Sequence, residues 1–149
     1  MTLTFYRGFS CLLLGSVLAV ACAYIGAALT PPAIARWTIQ INDHEDLRAM
    51  LAMLGIRHLP LFLLCVLCGN VIFSLLKDTS RSMVALAVAP YIFYVVGTGI
   101  LESLAAGESA WSWVTYQPSY FIWPHFISVP AGLLAAASMV KRRNRLAAH

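Results

Sequence analysis

Four long runs of the chain contain no Asp, Glu, Lys or Arg, and short polar stretches separate them. The runs cover residues 9–29, 59–76, 82–101 and 120–140. An α-helix rises ~1.5 Å per residue, so roughly 20 apolar residues cross the ~30 Å hydrocarbon layer of a bilayer. The pattern therefore predicts an all-α integral membrane protein of one domain, with four transmembrane helices at about residues 9–29, 59–76, 82–104 and 120–140.

Basic residues lie at one end of these predicted helices. Four crossings put Arg7, Lys77, Arg81 and the tail of residues 141–149 on the same side, while most acidic residues fall on the other. The positive-inside rule makes the basic side cytoplasmic. We therefore expect an N-in, C-in topology, in a bacterial-type inner membrane. The short connection at residues 77–81 also predicts that the second and third helices are antiparallel neighbours.

The composition changes this picture little, since 60% of the residues are hydrophobic and only 11% are charged. A soluble domain needs far more charged surface, and no room remains for a separate catalytic domain. The net charge of +4 suggests nucleic acid at first sight. Because the basic residues lie at membrane ends, we expect contact with anionic lipid head groups and no nucleic-acid partner.

The first outer segment carries the signature of a short amphipathic helix at about residues 43–55. Its apolar positions Leu47, Met50, Leu51 and Leu54 recur at i, i+3, i+4 and i+7. Such a helix is too short to cross a bilayer, so it is predicted to lie on the outer surface. It either covers the ends of the bundle or docks a partner helix.

The second outer segment is rich in aromatic residues, among them Trp111 and Trp113. Tryptophan side chains settle at the depth of the lipid head groups, so anchoring is their simplest role. A surface of aromatic side chains could also bind a lipid, a quinone or another subunit. Together with the apolar face of the surface helix, the two tryptophans form the predicted partner-binding surface.

Four ionisable residues are predicted near the outer membrane boundary: Arg57, His58, Glu102 and His125. Ionisable side chains at membrane depth are costly and often functional. Glu102 could pair with Arg57, and the histidines could titrate, bind a quinone head group or join a carboxylate on a metal. No metal-ligand spacing exists within one helix, so no metal site is predicted. The simpler alternative is a salt bridge with two hydrogen-bonded histidines.

Three cysteines provide a further candidate site. Cys65 and Cys68 form a CxxC pair on one helix face, and Cys22 is predicted ~10 Å below the outer surface, at the depth of Cys65. Small membrane thiol oxidoreductases of the disulfide-forming and vitamin K epoxide reductase kinds are similar in size and carry a CxxC. They also need a second cysteine pair in an outer loop, which this chain lacks. We therefore expect small hydrophobic roles for these cysteines, with redox chemistry as an alternative.

Small residues recur within the predicted helices, for example Gly15 and Ala19, Gly97, and Gly132 and Ala136. Such residues permit close helix association. No catalytic residue or cofactor motif is recognisable, so the cofactor is unknown. The expected function is that of a non-enzymatic accessory or assembly subunit, which binds other membrane subunits or copies of itself. The alternatives are a small transporter or a quinone- or lipid-binding protein with an outer polar site, and a membrane thiol-disulfide oxidoreductase.

Overall fold

The computed structural model describes the backbone of residues 2–28, 54–116 and 119–147, and the side chains of these residues except 2–4, 54, 115, 116, 119–123 and 125. These ranges are helical apart from residue 147 and the turns at residues 77–80 and 106–111, and they contain no strand. The helices are α1 (Thr2–Ala28), α2 (Leu59–Leu76), α3 (Arg81–Ala105), α4 (Ser112–Tyr116) and α5 (Ser119–Leu146), and a π-helical turn (Leu54–His58) leads into α2.

Among the described residues, three helical segments are long and apolar enough to cross a membrane: Phe5–Ala28, Gly55–Leu76 and Arg81–Ala105. The predicted all-helical class is thus confirmed for the described residues. The ends of two helices differ from the expected bounds. α1 already begins at Thr2, and α5 continues through the basic residues to Leu146. Lys, Arg, Leu and Ala are good helix formers, so α5 continues beyond its apolar run.

The four long helices form a ring in the order α1, α2, α5, α3. The most extensive contacts are those of α2 with α5 and of α1 with α3, and smaller contacts of α3 with α5 and of α1 with α2 close the ring. The expectation that α2 and α3 pack against each other as neighbours is therefore wrong, because α2 packs mainly on α5 and α3 packs mainly on α1. The tight turn between α2 and α3 constrains only their ends, whereas small residues along α2 and α5 allow those two helices to approach closely.

Two glycines mark the places where helix backbones touch. A Cβ atom on Gly15 would lie 2.6 Å from the carbonyl oxygen of Ala87, at the contact of α1 with α3. A Cβ atom on Gly132 would lie 2.7 Å from the carbonyl oxygen of Phe62, at the contact of α5 with α2. Such close approach maximises van der Waals packing, which holds helices together where lipid replaces water.

Hydrogen bonds tie the helix ends together at the basic end of the bundle. The Cys11 thiol donates to the carbonyl oxygen of Met83 (3.2 Å), which joins the first part of α1 to the start of α3. The Arg143 guanidinium donates to the Ser74 hydroxyl (2.7 Å), which joins the last part of α5 to the end of α2. Arg7, the turn after Leu76 and the basic tail therefore belong to one end of the bundle.

The predicted surface helix falls mostly outside the described residues. This applies to Leu47, Met50 and Leu51. Leu54 and Gly55 are described and belong to the π-helical turn that precedes α2. The apolar face expected at residues 43–55 stays a prediction.

Candidate functional site

Arg57 reaches from the start of α2 towards α1, at the end of the bundle opposite the basic tail. A Cβ atom on Gly26 would lie 3.6 Å from its Nε atom and 3.7 Å from one terminal nitrogen. The guanidinium, which is half-buried, is also within electrostatic range of the phenol groups of Tyr91 and Tyr94 on α3. A cation thus lies among three helices at membrane depth, a position at which charged groups are rare.

His58 is buried beside Arg57 at the junction of the π-helical turn and α2. Pro60 occupies the first turn of α2, where its missing amide proton costs no helical hydrogen bond. A π-helical turn widens the helix, and such turns are frequent at functional sites. The local sequence thereby directs two consecutive ionisable side chains towards the bundle.

The other two residues of the predicted polar site do not complete it. The Glu102 side chain is exposed, and no ion pair joins it to Arg57 or to any other described residue. His125 lies in α5, but its side chain is outside the described part of the chain. The structure therefore brings Arg57 and His58 together and leaves Glu102 on the outside.

The two tryptophans of the second outer segment occupy different environments. Trp111 is 63% exposed, whereas Trp113 is only 8% exposed. Gly107 has a φ angle of +76°, which suits glycine in a turn that reverses the chain after α3. Trp113 then packs on Gly99, where an added Cβ atom would come within 2.5 Å of the indole ring. The two tryptophans therefore do not share an exposed surface, and Trp111 alone is available to a partner.

Trp113 is held in place by polar and aromatic contacts. Its backbone N–H donates to the Ser103 hydroxyl (3.0 Å), and its ring stacks on Phe126 of α5 with 6.5 Å between centroids. Its indole N–H is buried without a hydrogen-bond partner among the described residues. The alternation of aromatic residues did not indicate that the ring of Trp113 would fold back onto Gly99 of α3.

Two cysteines from different helices meet in the interior. The Sγ atoms of Cys22 on α1 and Cys65 on α2 are 3.7 Å apart, and both residues are fully buried free thiols. Cys68 is partly buried and is also free. The common depth estimated by counting residues agrees with this contact. Tyr91, which sequence reasoning missed because a tyrosine within an apolar run resembles a packing residue, is within electrostatic range of both thiols.

Asn70 links α2 to α5 deeper in the bundle. Its side-chain amide donates to the carbonyl oxygen of Val66 (2.8 Å) and contacts the Met139 sulfur at 3.9 Å. This contact is typical of polar residues between transmembrane helices.

The described residues contain no cluster of three or more His, Cys, Asp or Glu side chains that could hold a metal. No family model, curated protein or solved structure matches the chain. The function must therefore be argued from the residues of this chain alone.

Proposed function

We propose that the chain is a four-helix protein of a bacterial-type inner membrane, with both termini in the cytoplasm. α5 supplies the fourth crossing in this proposal. The absence of charged residues from 120–140 and the packing of α5 along α2 support it. The hydrogen bonds at the basic end of the bundle support the orientation, because they gather the cationic groups that the positive-inside rule assigns to the cytoplasm.

Within that membrane the protein acts as a non-enzymatic accessory subunit, which binds a helix of another membrane protein. One observation carries this proposal. Gly97 lies within α3, and a Cβ atom there would meet no described atom within 4 Å. The other glycines inside the three membrane-length helices, Gly55 excepted, all have a described neighbour within that distance.

A glycine in a helix interior needs a compensating interaction. It costs about 1 kcal/mol relative to Ala, because the unfolded backbone loses more freedom on folding. At Gly15, Gly69 and Gly132 the close approach of a neighbouring helix compensates for this cost. No described group does so at Gly97, and in this proposal the compensating group is a helix of another membrane protein.

The surroundings of Gly97 have the shape of a helix-docking site. Phe93 and Leu101 lie one turn before and after it on the same face of α3, and both are strongly exposed. We call Phe93, Gly97 and Leu101 the Gly97 face. Large side chains on both sides of a glycine form a notch, and a transmembrane helix can approach the backbone there. Lipid tails are flexible and need no such notch.

Copurification tests the proposal. The tagged full-length chain is extracted from its native membrane in mild detergent, and the proteins that copurify are identified by mass spectrometry. Gly97→Leu fills the notch, and overpacking of a helix contact costs about 1–3 kcal/mol. We expect the yield of a stoichiometric partner to fall by about tenfold, since 1.4 kcal/mol is a factor of ten in affinity.

Ala27→Leu is the matched control. It enlarges an exposed small residue as well, but this residue lies on α1, away from the Gly97 face of α3. It should leave the partner yield unchanged, and both variants should retain the helical circular dichroism of the wild type. Equal partner yields in Gly97→Leu and Ala27→Leu would refute the role of the Gly97 face. A wild-type chain that purifies without any other protein would refute the accessory-subunit function itself.

A second candidate function has separate support from the position of Arg57. The guanidinium lies between α1 and α3 at membrane depth, where it can bind the polar head of an amphipathic ligand such as an anionic lipid or a quinone. Arg57→Gln should then lower the amount of one copurifying lipid or quinone. Arg7→Gln, at the basic end, is the control. Identical lipid and quinone content in both variants and the wild type would exclude this ligand site.

A further inference from the structure

The thiols of Cys22 and Cys65 are in direct contact, with no other side chain between the two sulfurs. Their Sγ atoms are 3.7 Å apart, and a disulfide bond brings two sulfurs to ~2.05 Å. The two residues lie on neighbouring helices and are separated by 43 positions in sequence. An approach of less than about 2 Å, shared between two side chains, is all that bond formation demands.

The helix on the far side of Cys65 limits how far this thiol can move away. A Cβ atom on Gly132 of α5 would lie 2.7 Å from the Cβ atom of Cys65. Cys65 is therefore enclosed between α5 on one side and Cys22 on the other. This arrangement keeps the two sulfurs together within the folded bundle.

We propose that Cys22 and Cys65 are an oxidative-modification site, which a hydroperoxide converts into a disulfide that joins α1 to α2. Both thiols are fully buried, which excludes bulky and charged oxidants, so the oxidant in this proposal is small and uncharged. The sulfur of one thiol attacks the terminal oxygen of the hydroperoxide, and the O–O bond breaks. The leaving oxygen takes the thiol proton and departs as an alcohol, or as water from hydrogen peroxide. The resulting sulfenic acid loses its hydroxyl group as water when the second sulfur attacks.

The reaction is balanced in atoms and electrons. The two thiols together lose two electrons and two protons, and the hydroperoxide gains them as it is reduced to the alcohol and water. The new bond connects the chain on both sides of the outer segment between the first two helices. This site involves neither the Gly97 face nor its partner, so it goes beyond the function proposed above.

The test uses the full-length protein in its membrane, which is first exposed to hydrogen peroxide. The protein is then unfolded in the presence of excess N-ethylmaleimide. Free thiols become alkylated, and proteolysis with mass spectrometry locates those that do not. We expect Cys22 and Cys65 to lose alkylation together and to yield one linked peptide pair that is two hydrogen atoms lighter than the separate peptides. Dithiothreitol should restore both thiols.

Two other cysteines provide matched controls in the same chain. Cys11 is equally buried, but its thiol donates to a backbone carbonyl and has no thiol neighbour among the described residues. It should stay alkylatable under the same treatment. Cys68→Ser should leave the Cys22 to Cys65 link intact, whereas Cys65→Ser should abolish it.

Three results would overturn the proposal: persistence of both free thiols, oxidation of Cys68 alone, or a link between Cys65 and Cys68. The measurement on the wild-type chain decides the matter even if Cys65→Ser fails to fold, because the linked peptides identify the bonded residues directly.

Discussion

Replacement of Gly15 by Ala tests how closely α1 and α3 pack. The new Cβ atom would lie 2.6 Å from the carbonyl oxygen of Ala87 and 2.9 Å from its Cα atom. Both are backbone atoms, which cannot rotate out of the way as a side chain can. Ordinary contact begins at 3.4 Å, so the two helices must separate locally by about 0.8 Å.

The magnitude follows from a comparison with Gly97→Ala. Each substitution adds the same methyl group within a helix and gains about 1 kcal/mol of helix propensity. This term cancels between the two variants. The overpacking cost of about 1–3 kcal/mol remains for Gly15→Ala alone, because the space at Gly97 is open. The equilibrium constants for unfolding should thus differ by about fivefold to more than a hundredfold.

The assay is equilibrium unfolding of the full-length chain in detergent micelles by titration with sodium dodecyl sulfate. Loss of helical circular dichroism reports the transition. Gly15→Ala should unfold at a lower fraction of dodecyl sulfate than Gly97→Ala, and Gly97→Ala should unfold at the same fraction as the wild type or a higher one. Coincident midpoints for the two variants would refute the close contact of α1 with α3.

The same titration tests two further contacts. Trp113→Ala should destabilise the bundle by about 3–5 kcal/mol, because removal of the buried indole leaves a cavity. Trp111→Ala should change stability by no more than about 0.5 kcal/mol, because that ring is exposed. Equal effects would contradict the different burial of the two rings. Ser74→Ala removes the acceptor of the exposed Arg143 hydrogen bond and should cost no more than about 1 kcal/mol. A loss of several kcal/mol there would contradict the small contribution expected of an exposed hydrogen bond.

The helices could be predicted from sequence because a bilayer excludes charge along a spanning segment. The charge-free run at residues 59–76 coincides with α2 for this reason. The order of the helices could not be predicted, because the lipid and the bundle interior are both apolar. Leu61 is buried and Leu67 is exposed, although the two residues belong to the same apolar run. Hydropathy alone does not distinguish these environments.

The contacts within the candidate sites could be predicted only where they depend on the depth of each residue along its helix. Counting residues from the helix ends places Cys22 and Cys65 at one depth, and their sulfurs are in contact in the structure. The other contacts depend on the direction in which a side chain leaves its helix, which depth does not determine. Glu102 lies near the end of α3 but on its exposed side. The reversal of the chain at Gly107, which buries Trp113, depends on backbone geometry that apolar periodicity does not report.

Site-specific photo-crosslinking in the native membrane tests the accessory-subunit proposal most directly. A photoreactive phenylalanine analogue replaces Phe93 on the Gly97 face, which is 77% exposed, or Tyr24 on α1, which is 78% exposed. We expect the probe at position 93 to form an adduct with one other membrane protein, and the probe at position 24 to form adducts with lipid alone. Lipid adducts alone at both positions, or an adduct of position 93 with a second copy of this chain, would contradict the proposal.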